Sequence, residues 1–206
     1  MDSLIKKIPV FPLNDALLLP TGDLPLNIFE PRYISMVNYA LSHNKLIGMI
    51  QPKPDNPKAF FKTGCIGKIT TYNELEDNKS IICLKGVSRF LIKDEIKHSK
   101  NFKIFNVEYI DIKPYFDKLD NKLFNKNIFI EKIKFFFKKR DININLESFY
   151  NMNEKSLVIT TAMVCPFSAS EKQVLLECND INSLAKTTLS LLDFGINQLY
   201  EYETIN

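Results

Sequence analysis

Hydrophobic positions change their period once along the chain. Up to about residue 112 they form short apolar blocks or alternate with polar neighbours. From residue 116 they recur every three or four positions. The first block, 8–13, is apolar but carries Pro9 and Pro12, and proline removes a ladder donor. An edge strand, or a strand broken by a bend, is therefore expected. A second short apolar run covers 16–20, a turn 21–23, and an extended segment 24–29. Pro31 suits the first turn of a helix, where its missing N–H costs nothing. Tyr33, Met36, Val37, Ala40 and Leu41 follow at helical spacing, and Ser42-His43-Asn44 ends the element. Residues 46–50 read as a buried strand. The prolines at 52, 54 and 57 predict a loop.

Two long strand candidates, 63–72 and 80–92, flank the Glu-Asp-Asn-Lys stretch at 76–79 and predict a hairpin. A turn at Asp77-Asn78 sets Cys65 near Phe90 and Cys83 near Tyr72. Gly64, Gly67 and Gly86 inside these strands predict bulges or sharp coiling, as small barrels require. Phe105, Val107 and Tyr109 alternate with polar residues as in a half-buried strand. After Pro114 a long helix is expected over 116–140. Phe116, Leu119, Leu123, Ile130, Ile133 and Phe137 form one stripe. Phe124, Ile128, Phe129, Phe135 and Phe136 lie off it. A surface helix needs one stripe only. This one must meet neighbours on two sides, either the rest of the chain or a partner chain, including a second copy of itself. A shorter helix is expected at 156–164, and Ser168 with Glu171 forms a capping box for another. Asp180 can cap a last helix whose face carries Ile181, Leu184, Thr188, Leu191 and Leu192. The pattern is α+β, a β-rich half over 1–113 followed by an all-helical half over 114–206.

Charge adds little to this picture. With 27 basic and 24 acidic residues the net charge is +3, too small to argue for nucleic acid by itself. Lys132, Lys134, Lys138, Lys139 and Arg140 do cluster, which suits a solvated helix face near its negative end. No apolar run reaches the ~20 residues of a membrane span. The start of the chain lacks the apolar core of a signal peptide, so a cytoplasmic location and no membrane contact are expected. The four cysteines, Cys65, Cys83, Cys165 and Cys178, form no C-x-x-C pair, and the hairpin register sets Cys65 and Cys83 too far apart for a disulfide. Reduced, partly buried thiols are expected. His43 and His98 are not spaced to share a metal with them, and no metal or other cofactor is expected. Phosphate-loop, G-x-S-x-G and H-E-x-x-H strings do not occur; Gly64-Cys-Ile-Gly67-Lys68 has the wrong spacing for the first. Cys83 would need a neighbouring cation to become a nucleophile, and a structural role is the better reading.

Several strings together resemble a known family. Ile8-Pro-Val-Phe-Pro-Leu13, Leu17-Leu-Leu-Pro20 and Leu24-Pro-Leu-Asn-Ile-Phe-Glu-Pro-Arg-Tyr33 are similar to the opening of the N-terminal substrate-recognition domain of Lon-type ATP-dependent proteases. Gly64-Cys-Ile-Gly67 and Leu84-Lys-Gly-Val-Ser-Arg-Phe90 resemble that family's hairpin strands. Cys165-Pro-Phe-Ser168 with Glu171-Lys-Gln-Val-Leu-Leu-Glu177 resembles the helical part of its stand-alone bacterial members. The resemblance implies a PUA-like small β-barrel followed by a helical bundle. It also implies a role in choosing substrates without the ATPase and Ser–Lys protease domains of full Lon proteases. The chain is thus expected not to be an enzyme.

The candidate ligand- or peptide-binding residues are Phe29, Glu30, Arg32, Tyr33 and Arg89. Glu30 precedes the first helix at its positive end. Arg32 and Arg89 are cations in apolar surroundings, so one of them should pair with Glu30. A Glu30–Arg89 bridge, tying helix to hairpin, is the favoured pairing. Phe29 and Tyr33 are expected as core anchors, with the floor of a peptide groove as the alternative. The expected function is binding of unfolded or partly unfolded polypeptide, or docking on a separate protease as an adaptor in protein quality control. A cleft between the halves could hold an extended peptide. The alternative is an RNA-binding PUA-like protein using the Lys132–Arg140 cluster.

Overall fold

A computed structural model describes residues 7–14, 16–110, 119–120 and 124–205, with positions 78 and 198–205 described by backbone only. Two compact units emerge: Met1–Ile112 together with Ser168–Glu177, and Lys113–Phe167 together with Cys178–Asn206.

Among its described residues the first unit has eight strands: β1 Lys7–Pro12, β2 Asp23–Ile28, β3 Leu46–Ile50, β4 Pro52–Lys53, β5 Asn56–Phe60, β6 Thr63–Glu74, β7 Ser80–Glu95 and β8 Lys103–Ile110. Six of them form one sheet in the order β2-β7-β6-β3-β1-β8, and a further β7–β8 pairing closes it into a barrel. Closure is possible because β7 is long. Its first half, to Lys85, pairs with β2 on the side where its second half, from Arg89, pairs with β8. Ile8, Val10, Ile50, Ile66, Phe90, Phe105 and Val107 fill the interior.

The segment at 8–13 is not an edge strand. β1 pairs with β8 through Lys7–Val10 and in parallel with β3 through Val10–Pro12. Each flank is used over only a few residues, so two prolines are tolerated inside the sheet. The prolines at 52–57 likewise lie in a small hairpin, β4 with β5, rather than in a plain loop.

The β6–β7 hairpin turns through a 3-10 segment, Glu76–Asn78, with Asp77 in the left-handed region. Bulges between Ile66 and Gly67 and between Ile69 and Thr71 shift the register, so Cys65 faces Arg89 and Cys83 faces Thr71. That is one position from the predicted pairing, and all four cysteines are free thiols. Burial pushes the Cys65 thiol well above its usual pKa. Gly86 sits where 19–22 crosses β7. Thr21 donates to its carbonyl, and its own N–H donates to Gly22 O. A Cβ here would stand 2.0 Å from Leu19 O.

Helix α1, Pro31–Leu41, follows the predicted pattern. Proline opens it, and Tyr33, Met36, Val37 and Ala40 are buried. Within the same unit lies the helix predicted by the capping box, Ala169–Glu177, which the sequence pattern grouped with the helical half. Ser168 Oγ accepts from Glu171 N–H, and the Glu171 carboxylate accepts from Ser168 N–H. The helix is fixed to the barrel by polar groups. Gln173 Nε2 donates to Thr63 O at 3.2 Å, and Arg89 Nη1 donates to Leu176 O at 3.2 Å.

In the second unit the described helices are α2 Lys126–Lys139, α3 Leu146–Asn151, α4 Glu154–Val164 and α6 Ile181–Ile205, with Ala169–Glu177 counted as α5. Helix α2 starts later than the pattern over 116–140 predicts. Asn125 caps it by accepting from Ile128 N–H, and much of 111–123 lies outside the described residues. Phe129, Ile130, Ile133, Phe136 and Phe137 are all buried, so one broad face absorbs residues that the simple stripe left over. Asp180 caps α6 by accepting from Ser183 N–H at 2.8 Å. Both α2 and α4 pack on α6. Lys132 pairs with Asp193, and the Arg140 guanidinium lies 3.7 Å from the centre of the Phe136 ring.

Candidate functional site

The five candidate residues fall in two places. Phe29, Glu30, Arg32 and Tyr33 share the junction between β2 and α1, whereas Arg89 is buried under the C-terminal end of α5. The expected Glu30–Arg89 bridge does not form. Glu30 pairs with Arg32 instead, at 2.9 Å, in an exposed ion pair. The reason is local: two positions apart at a helix start, these side chains meet without any tertiary packing. The α5 carbonyl end claims Arg89, and cations suit that end of a helix.

Phe29 and Tyr33 part company as well. Tyr33 is a core residue, as expected. It packs on Phe11 with ring centres 4.1 Å apart, its hydroxyl donates to Pro12 O at 3.4 Å, and Arg32 lies over its ring. Burial raises the pKa of its hydroxyl. Phe29 is no core anchor. It is 63% exposed, the most exposed of the large hydrophobic side chains described.

The sheet register shows what surrounds Phe29. Ile81 on β7 is flanked by Asn27 on β2 and Asn73 on β6, and Cys83 by Pro25 and Thr71. Side chains alternate along a strand, so these six share one face. It is the outer face, because Ile82 and Leu84 on the other are fully buried. Phe29 and Leu75 each lie two positions beyond Asn27 and Asn73, and they flank Lys79, whose carbonyl accepts from Leu75 N–H. Two strand spacings, roughly 10 Å, separate them. Leu75 is 46% and Ile81 37% exposed. The result is a patch whose rows through Ile81 and Cys83 carry no charge, while Lys79, paired with Asp77, stands between Phe29 and Leu75. It is bounded at one end by the Asp23–Lys85 ion pair and at the other by the acidic turn at Glu74, Glu76 and Asp77. Among the described residues β2 pairs only with β7, so the patch includes a strand edge, but Pro25 removes an amide donor from the middle of that edge. Side-chain contact, more than strand addition, is what this surface offers.

Leu75 and Ile81 were not among the sequence candidates. Their signal was the period-two alternation, which puts Ile81 opposite the buried Ile82. Without the β2–β7 register nothing joined them to Phe29. Among the described residues no group of three or more His, Cys, Asp and Glu is placed to hold a metal ion, and no helix is long and apolar enough to cross a membrane.

Comparison with known proteins decides the family. Residues 7–193 match the family model described as the ATP-dependent protease La (LON) substrate-binding domain. The chain belongs to this family. Its relatives include the Lon protease of Buchnera aphidicola, 27% identical over 93% of this chain, and that of Escherichia coli K12, 23% identical over 94%. The chain spans about a quarter of the length of each of these relatives. Two solved structures share the fold. The N-terminal domain of a Mycobacterium avium complex Lon protease superposes with a TM-score of 0.66 at 13% identity, covering 91% of this chain and 98% of that one. A Lon N-terminal domain protein from Xanthomonas campestris gives 0.64 at 18% identity, covering 90% and 98%. The α+β fold is therefore that of Lon N-terminal domains. The family match falls on the substrate-binding domain and not on a catalytic one.

Proposed function

We propose that this chain is a non-catalytic module that binds unfolded or partly unfolded polypeptide, through the outer-face patch formed by Phe29, Leu75 and Ile81. It would serve as an adaptor that presents such chains for proteolysis. The observation that carries the reading is an exposed aromatic and two exposed aliphatic side chains gathered on the outer face of the barrel, around Lys79, whose charge is paired with Asp77. Exposed apolar groups gathered on one surface favour contact with other apolar groups. Unfolded chains expose such groups; folded ones bury most of theirs. Membership of a substrate-binding family supports the same reading. Strand addition is the less favoured mode, because Pro25 interrupts the β2 edge.

The test is fluorescence anisotropy with a labelled, permanently unfolded chain, such as reduced and carboxymethylated α-lactalbumin, beside its native form. The unfolded chain should bind and the native form should not. A Phe29→Ser, Leu75→Ser double variant should weaken binding by about tenfold or more, with thermal unfolding unchanged. Equal affinity in the variant, or no binding by the wild type, would remove the proposal.

A further inference from the structure

The second unit carries a separate surface. A hollow of about 750 Å3 is lined by α2 from Asn127 to Lys138 and by Ile196 and Asn197 of α6. Its apolar members are Ile128, which is 55% exposed, the half-buried Phe135, and Ile196. Ile128 and Phe135 are two turns apart on α2, so they lie along one line of the helix. Three lysines, Lys132, Lys134 and Lys138, line the same hollow with Glu131, and Asp193 of α6 reaches Lys132 from beside it. An adjoining hollow of about 440 Å3 shares Lys134 and Lys138 and adds the exposed Ile142. From Asn127 to Lys138 the helix advances about 16 Å, which is three turns.

We propose that this face docks an acidic amphipathic helix of a partner protein. Three features fix that occupant. The floor offers apolar contacts two turns apart, the spacing that an amphipathic helix presents at i and i+7. The length of the hollow suits a helix of three turns. The rim keeps a positive excess: Lys132 is engaged by Asp193 and Lys134 is 3.7 Å from Glu131, and the excess cation is Lys138, a turn beyond Lys134 on the same side. A second copy of this chain would set two lysine rims face to face, which charge disfavours. This surface is in a different unit from the Phe29 patch and does not depend on the function proposed for it.

The experiment titrates the full chain with three labelled model helices. The first has leucines on one face and glutamates elsewhere, the second keeps the leucines with lysines elsewhere, and the third keeps the glutamates with serines in place of leucines. The first should bind about tenfold or more tighter than either of the others, and weaken as salt rises. A Lys134→Glu, Lys138→Glu variant should reverse the order of the first two. Ile128→Asp should abolish binding of the first, and Phe29→Ser should leave it unchanged. These positions are exposed, so all variants should fold, as circular dichroism would verify. Equal binding of the glutamate and lysine helices, or no binding of the first, would overturn the proposal. A concentration-dependent dimer broken by Ile128→Asp would also overturn it, by giving the face to a second copy.

Discussion

Arg89 is a buried cation whose Nη1 donates to the carbonyl of Leu176, 87 positions away. Hydrogen bonds to charged groups contribute roughly 1.5–3 kcal/mol, and removing one partner leaves the other desolvated. Arg89→Ala should therefore lower unfolding stability by about 2–3 kcal/mol, read from urea midpoints. Glu30→Ala breaks only an exposed pair and should change stability by about 0.5 kcal/mol or less. Equal losses would restore the Glu30–Arg89 bridge. The sequence displayed two cations and one carboxylate in apolar surroundings but could not choose between them. A backbone carbonyl as partner leaves no trace in side-chain chemistry. Phe29 was hard to read for a related reason. Its neighbours Ile28 and Tyr33 are both core residues, and Phe29 faces outward because it continues the alternation of β2 two positions beyond Asn27.

At the scale of elements, alternation and helical spacing carried most of the information. Strands β3, β6, β7 and β8 and helices α1, α4 and α6 follow the apolar pattern closely. The glycines marked real constraints. A Cβ on Gly64 would stand 2.4 Å from Phe90 Cζ and 2.5 Å from Met49 O. Gly64→Ala should destabilise by about 3 kcal/mol, because the Phe90 ring cannot yield without disturbing the core around it. A loss below about 0.5 kcal/mol in chemical unfolding would show that the ring is free to move. Prolines misled in β1 and β4–β5, since the edge-strand rule assumes a strand paired along its whole length. Here the pairing of β1 passes from one neighbour to the other at Val10. The start of α2 was missed because Asn125, its cap, lies in a run of polar and apolar residues that continues the helical spacing.

For the whole molecule, the order of strings along the chain was enough to suggest the family, and through it the fold. The β-rich and helical parts were legible as a change of period. That α5 returns to the barrel was not, because Gln173 and Arg89, which hold it there, are polar and follow no period. Of the surface proposed for polypeptide recognition, the 29–33 string supplied Phe29, whereas Leu75 and Ile81 join it only through the β2–β7–β6 register. Hydrogen–deuterium exchange of the full chain, with and without a permanently unfolded polypeptide, tests this surface most directly. Slowed exchange at 27–34 and 73–83, with α2 unchanged, is the predicted result. Protection confined to the helical unit, or none anywhere under saturating conditions, would contradict it.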